Sequence, residues 1–235
     1  MTTAGLTEEA TTPWAAVLDD AELARAARFA FPHSRIAFVA AHALTRAALA
    51  AATGAPPAAF GFASGPHGKP EALLGGRPAG LAFNLSHTDG GVGVAVAAVP
   101  GLMLGFDLEP LGRRTPPEVA RRCFTASELG WLDGLPAADR AEGFLRLWTL
   151  KEAFIKATGR GLTQDLAAFW FRVDPPSVGF APGRPGRPQD WCFAQRIVHQ
   201  GFVAAIGLHG QGAGLDATWR ERDPAGFDPT AGLAW

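Results

Sequence analysis

Cysteine is nearly absent from this 235-residue chain, which has only Cys123 and Cys192. Two thiols cannot build a disulfide framework, and neither lies in a CxxC or Cys/His spacing suited to zinc. Both read as small buried apolar residues of a protein kept in a reducing compartment. Charge of one sign is lacking too: 21 basic against 22 acidic residues leave a net charge of −1 and a pI near 6.6. Such a balance supplies no global basic field, so nucleic acid is not an expected partner. The start, Met1 to Glu9, has neither the basic nor the apolar region of a signal peptide. No run is read as approaching the roughly 18 apolar residues of a membrane span. The expectation is a cytoplasmic protein with no membrane partner. What is present is apolar substance: 48% hydrophobic residues and a mean hydropathy of +0.08 suffice for one large domain or two small ones.

Leu, Phe and Arg spaced among alanines predict helices over 19–30 and 34–52, the second stopped by Thr53-Gly54-Ala55-Pro56-Pro57. A short extended piece, 60–63, runs into Gly65-Pro66-His67-Gly68-Lys69-Pro70, too rich in glycine and proline to be regular, so Lys69 sits on a loop. Residues 79–85 read as a strand and Ser86-His87-Thr88-Asp89-Gly90-Gly91 as a turn. The apolar runs 92–99 and 102–109, joined by Pro100-Gly101, read as a hairpin with Glu109 opposite Val92 and Asp107 opposite Val94, although Pro-Gly is not a favoured hairpin pair. Pro110 to Pro117 breaks the pattern and marks a boundary, followed by a helix from Glu118 to Cys123. Thr125 and Glu128 form a capping-box arrangement that starts a helix running to Leu132, and the next helix, 140–158, stops at Gly159-Arg160-Gly161. A strand over 168–173, an irregular loop over 174–190 and a hairpin of 191–198 with 202–208 complete the chain.

Within the 140–158 helix, Trp148 to Lys156 sets a carboxylate between two lysines in an apolar pattern. Trp148, Glu152 and Lys156 fall on one flank, with Lys151 displaced to the side. A lone Glu-Lys pair would be a solvated surface contact. Upstream, however, Gly105-Phe106-Asp107-Leu108-Glu109 sends both carboxylates to one strand face. Asp107, Glu109 and Glu152 are hard oxygen donors, suited to Mg²⁺ or Mn²⁺ with substrate phosphates completing the shell, and not to zinc. Lys69, Lys156 and His87, with Ser86 and nearby turn amides, are candidate phosphate partners. This inventory fits phosphoryl-type transfer, which depends mainly on positioning and charge neutralisation.

Four motifs, in this order, resemble those of one family: Gly68-Lys69-Pro70; Phe83-Asn84-Leu85-Ser86-His87; Gly105 to Glu109; and Trp148 to Lys156 followed by Gly159-Arg160-Gly161-Leu162. Phe124-Thr125 with Glu128 matches its intervening Phe-Ser/Thr-x-x-Glu element. The family is the 4′-phosphopantetheinyl transferases, in their larger, surfactin-type class. The resemblance implies an α+β fold of two pseudo-symmetric halves, each a helix packed on a small antiparallel sheet. The halves would be 1–110 and 111–235, with the active site in the cleft between them and the protein a monomer. It also implies transfer of the 4′-phosphopantetheine arm from coenzyme A to a serine of an acyl or peptidyl carrier protein, releasing adenosine 3′,5′-bisphosphate. Asp107, Glu109 and Glu152 would hold Mg²⁺ against the coenzyme A pyrophosphate, and Lys156 would neutralise charge there. Lys69, Ser86 and His87 would bind the cofactor end, Lys151 would either touch a phosphate from the side as a further cofactor ligand or pack its stem along the cleft, and Glu152 or a metal-bound water would take the serine proton.

The chain departs from the family at Ala37, which stands where a phosphate-binding arginine is common; Arg35 and Arg25 are the candidate replacements at the 3′-phosphate. Arg113, Arg114, Arg121 and Arg122 cluster near Val119 and Phe124, where the family docks its carrier, and carriers are generally acidic. Two other readings fit parts of the same inventory: a noncatalytic protein that binds coenzyme A or a carrier, and a Mg²⁺-dependent nucleotide pyrophosphatase.

Overall fold

The computed structural model describes residues 1–65, 68–99, 101–161, 164–183, 186–210, 217–231 and 233. Pro66, His67, Pro100 and Leu162, named above, lie outside the described residues, as do two residues of the expected 174–190 loop, Arg184 and Pro185. The fold is α+β with small antiparallel sheets, and its contacts divide it into two compact units: Met1–Gly101 with Arg220–Trp235, and Leu102–Trp219.

In the first unit the helices are α1 (Glu8–Thr11), α2 (Asp20–Ala26) and α3 (Pro32–Thr53). Asp19 caps α2 in a full capping box with Glu22. Pro32 suits the first turn of α3, where an amide would lack a helical partner anyway, and Gly54 ends it in the left-handed region at φ 76°. By length and composition α3 is apolar enough to cross a membrane, against the expectation that no run comes close. Its alanines raise the hydropathy, and 72% of the qualifying window is buried within the protein. The strands are β1 (Phe60–Ser64), β2 (Pro70–Leu74), β3 (Arg77–Pro78), β4 (Ala82–Thr88) and β5 (Gly91–Ala97). The first three form one sheet and β4–β5 a hairpin, against which α3 packs. Ala40, Ala43, Leu44 and Ala47 of α3 share a core with Val92 of β5. Small side chains there let helix and strand approach closely.

Arg46 of α3 is wholly buried. Its guanidinium donates to Glu22 at 2.9 Å, Asp19 at 2.8 Å and the carbonyls of Pro57 and Phe60 at 3.2 and 2.6 Å, and it lies over the Phe62 ring. A buried cation is tolerated only when satisfied in this way.

The second unit opens with β6 (Met103–Pro110), continues through α4 (Pro117–Cys123), α5 (Ala126–Asp133) and α6 (Arg140–Thr158), and closes with β7 (Phe169–Arg172), β8 (Ser177–Phe180), β9 (Trp191–Val198) and β10 (Phe202–His209). The Thr125 capping box starts α5, and Gly159 ends α6 at φ 69°. β6, β10 and β9 form one sheet with α6 packed on it, and β7–β8 form a hairpin.

Four expectations are corrected. No ladder joins β5 to β6 among the described residues. β6 pairs instead with β10, setting Asp107 opposite Ala205 and Glu109 opposite Val203. The expected hairpin rested on adjacency along the chain, which does not decide between a local and a distant partner of equal apolarity. For the same reason β6 belongs to the second unit, so the division falls at Gly101 rather than residue 110, and the last residues return to the first unit, where Trp14 donates to the Phe227 carbonyl at 3.1 Å. β4 runs on through Ser86 and His87, leaving the turn to Asp89 and Gly90. Finally, the supposedly irregular 174–190 segment contains β8, a proline-free run between Pro176 and Pro182 whose Val178 and Phe180 pair with Phe171 and Phe169.

Candidate active site

The face of β6 that carries Gly105, Asp107 and Glu109 is turned to α6. A Cβ on Gly105 would lie 1.9 Å from the Ala153 carbonyl oxygen and 2.4 Å from the Ala157 nitrogen. Its ladder partner, Gly207, likewise lies near Ala153. Two glycines facing each other across the strands therefore let the helix backbone descend onto the sheet. That approach brings the flank of α6 bearing Trp148, Glu152 and Lys156 to the carboxylates of β6.

Lys156 Nζ donates to Asp107 Oδ1 at 2.7 Å. Trp148 Nε1 donates to Glu109 Oε1 at 3.1 Å, and Arg113 is ion-paired with the same oxygen. The Arg113 guanidinium carbon lies 5.1 Å from the Trp148 ring centroid. Asp107 and Glu109 are both buried. Burial raises the Glu152 carboxyl above its usual range, and the charge of Asp107 raises it further, against the opposing pull of Lys156 and Arg113. Asp107, Glu109, Glu152 and Lys156 thus gather on one surface of the second unit.

Among the described residues no group of three or more His, Cys, Asp or Glu side chains is preassembled to hold a metal. Mg²⁺, however, usually takes one or two carboxylates, keeps waters and completes its shell with phosphates, so a preformed protein cage is not the criterion. Three hard oxygen donors, one of them disfavoured as an anion by its neighbour, are chemically suited to such an ion.

Of the two expectations for Lys151, contact with a phosphate or packing, the structure places the side chain in the packed interior. It is 1% exposed, and its ammonium meets Glu128 at 3.0 Å and donates to the carbonyls of Leu166 and Phe169 at 2.9 and 3.0 Å, which takes up its three protons. Glu128 in turn accepts from the amides of Thr125 and Phe171. Phe124, expected at a docking surface, is buried against Phe144. Arg114, Arg121 and Arg122 are exposed.

In the first unit Ser86 is buried and His87 exposed, because neighbours on a strand point to opposite faces. Lys69 sits on the loop between β1 and β2, where its carbonyl accepts from Gly65 at 2.8 Å and burial lowers its ammonium pKa to about 8. Arg25 lies over Phe38 at 5.4 Å, and Arg35 is paired with Glu8 at 2.8 Å and with the Phe29 carbonyl. Sequence reasoning missed two groups: the hold of Trp148 and Arg113 on Glu109, and the buried Lys151–Glu128 pair. The capping box at Thr125 was the one available signal for the second.

A sequence model described as the 4′-phosphopantetheinyl transferase superfamily matches residues 103–206, from the start of β6 into β10. The chain is 35% identical over 205 residues to the 4′-phosphopantetheinyl transferase HetI of Nostoc sp. strain PCC 7120, covering 84% of this chain and 81% of that protein. It is 33% identical over 130 residues to a 4′-phosphopantetheinyl transferase of Bacillus subtilis, covering 55% of each. To the transferase Sfp of Bacillus subtilis strain 168 it is 34% identical over 94 residues, covering 39% of each. With a relative of this identity aligned over most of both proteins, and a family match that contains the whole Asp107–Lys156 surface, the chain belongs to the 4′-phosphopantetheinyl transferase superfamily.

Proposed function

We propose that this enzyme transfers the 4′-phosphopantetheine arm of coenzyme A to a serine hydroxyl of an acyl or peptidyl carrier protein, in a Mg²⁺-dependent reaction that releases adenosine 3′,5′-bisphosphate. The observation that carries this reading is the meeting of Asp107 with Lys156 beside Glu109 and Glu152, where an acidic strand face and a cationic helix flank adjoin. Asp107, Glu109 and Glu152 would hold Mg²⁺ or Mn²⁺. Bound there, the ion would supply charge neutralisation at the pyrophosphate.

Lys156, 2.7 Å from Asp107, carries the positive charge that would oppose charge building up on the leaving phosphate. Glu152 or a metal-bound water would take the serine proton. In the first unit, Lys69, Ser86 and His87 would contact the phosphates of the nucleotide end, and Arg25 the 3′-phosphate. Arg35 would have to leave Glu8 to join it. The exposed Arg114, Arg121 and Arg122 would steer an acidic carrier protein. The enzyme would work as a cytoplasmic monomer.

Intact-protein mass spectrometry tests the reading. An apo carrier protein incubated with this enzyme, coenzyme A and Mg²⁺ should gain the mass of one phosphopantetheine arm, and the gain should vanish when the divalent ion is chelated. No gain with any of several carriers overturns the proposal. Breakdown of coenzyme A without a carrier would point to a pyrophosphatase instead, and tight coenzyme A binding without turnover to a noncatalytic binder.

A further inference from the structure

We infer that Arg113 is a resident counter-ion of the acidic face: it pairs with Glu109 in the metal-free protein, gives way when a divalent cation binds, and so sets how tightly that cation is held. The inference rests on the reading of Asp107, Glu109 and Glu152 as ligands of a divalent ion.

Three observations support it. First, Arg113 is held where a cation is wanted. The turn in which its amide donates to the Pro110 carbonyl at 3.0 Å folds it back beside β6, where it pairs with Glu109 Oε1. Second, Arg113 has somewhere to go. It lies outside regular structure between the end of β6 and the start of α4, and its side chain is 38% exposed while that of Glu109 is 11% exposed. Moving the guanidinium outward costs little desolvation, whereas moving the carboxylate would carry it away from Trp148. Third, Trp148 serves both partners. Its ring lies under the guanidinium at 5.1 Å, and its Nε1 holds Glu109 Oε1 at 3.1 Å. The ring therefore gives Arg113 a surface to slide on, and the indole N–H keeps Glu109 oriented after the arginine leaves. Lys156, by contrast, is anchored on α6 and pairs with Asp107. Of these two cations, Lys156 is carried by a helix and Arg113 by a segment outside regular structure.

The test is a Mn²⁺ titration of the full chain, without coenzyme A and again with coenzyme A saturating, with free Mn²⁺ followed by electron paramagnetic resonance against a coenzyme A blank. Arg113→Ala and Arg113→Gln should each bind Mn²⁺ roughly three- to tenfold more tightly than the parent, the order expected on removing one partly exposed unit charge beside a divalent ion. Arg113→Lys, which keeps the charge but loses the planar group stacked on Trp148, should fall between the parent and Arg113→Ala. Unchanged or weaker Mn²⁺ binding by Arg113→Ala and Arg113→Gln, with thermal melting like the parent's, overturns the inference and leaves the metal reading standing. If neither the parent nor any variant binds Mn²⁺ saturably, with coenzyme A present or absent, both fall.

Discussion

In the first unit Arg46 of α3 meets Glu22, the last residue of the Asp19 capping box, and the carbonyls of Pro57 and Phe60. In the second, Lys151 of α6 meets Glu128, the last residue of the Thr125 capping box, and the carbonyls of Leu166 and Phe169. Pro57 and Leu166 each open a short 3-10 turn, and Phe60 and Phe169 each begin the strand that follows. Setting Arg46 on Lys151 also aligns Ala48 with Ala153, Ala52 with Ala157, Thr53 with Thr158, and Gly54 with Gly159, the left-handed cap of each helix. The two units therefore repeat one frame at the level of individual residues. They differ at the flank: Trp148, Glu152 and Lys156 stand where α3 has Ala43, Ala47 and Ala51. The contacts held in common are those that join helix, cap and strand, and the candidate-site flank of α6 has only alanines as its counterpart in α3. Lys151 thereby sorts with the frame and Glu152 with the chemistry, although the two are adjacent in sequence.

The largest effect expected is from breaking the frame. Lys151→Ala should strand Glu128 as a buried unpaired carboxylate and cost about 3–5 kcal/mol, read by denaturant unfolding, and Arg46→Ala should cost a similar amount in the other unit. If Lys151→Ala left stability untouched and removed only coenzyme A binding, the assignment of Lys151 to the frame would be wrong. Next come the flank residues, where the sign of the comparison reverses. Asp107→Ala and Glu152→Gln should lower turnover by on the order of 10²–10³-fold while changing the melting temperature little. Ala47→Glu, which copies Glu152 onto a position with no exposure, should instead destabilise the protein by several kcal/mol, on the order of a buried unpaired charge. Gly105→Ala belongs to both classes. Its methyl group would collide with the Ala153 carbonyl, so α6 must lift off β6, at a cost of about 1–3 kcal/mol and with turnover lost as Lys156 withdraws from Asp107.

Much of the frame was legible in the sequence because its signals are local. The Thr125-x-x-Glu128 cap, the terminal glycines of α3 and α6 and the flank of Trp148, Glu152 and Lys156 each lie within a few residues of one another. What was not legible depends on distant partners. β6 pairs with β10, and nothing in Gly105 to Glu109 distinguishes that strand from the nearer β5. The acceptors of Lys151 are main-chain carbonyls, which every residue carries, so no residue type announces them. The repeat itself was hidden for the same reason: Arg46 and Lys151 differ as residues and correspond only through what they touch. At the candidate site, the meeting of Asp107 and Lys156 could be anticipated from strand and helix periodicity, whereas the hold of Arg113 and Trp148 on Glu109 could not.

The smallest effect concerns a further asymmetry, in the loop that joins the first two strands after each 3-10 turn. In the first unit this loop carries Lys69; in the second it carries Asp174, which pairs with Arg146 at 2.8 Å. Burial lowers the Lys69 pKa to about 8, so the ammonium is mostly charged at pH 7 and mostly neutral at pH 9. Only the charged form can hold a phosphate, so if Lys69 contacts coenzyme A the affinity is full below pH 8 and is lost as pH rises through it. The dissociation constant for coenzyme A should rise on the order of five- to tenfold between pH 7 and pH 9, because a bound phosphate draws the pKa back up and binding takes up a proton. Calorimetry in two buffers of different ionisation enthalpy measures that uptake directly near pH 8. In Lys69→Met both the proton uptake and the decline with pH should disappear, leaving weaker binding that no longer depends on pH in this window. An unchanged pH dependence in Lys69→Met would remove Lys69 from the phosphate contacts and leave its burial as a feature of the loop alone.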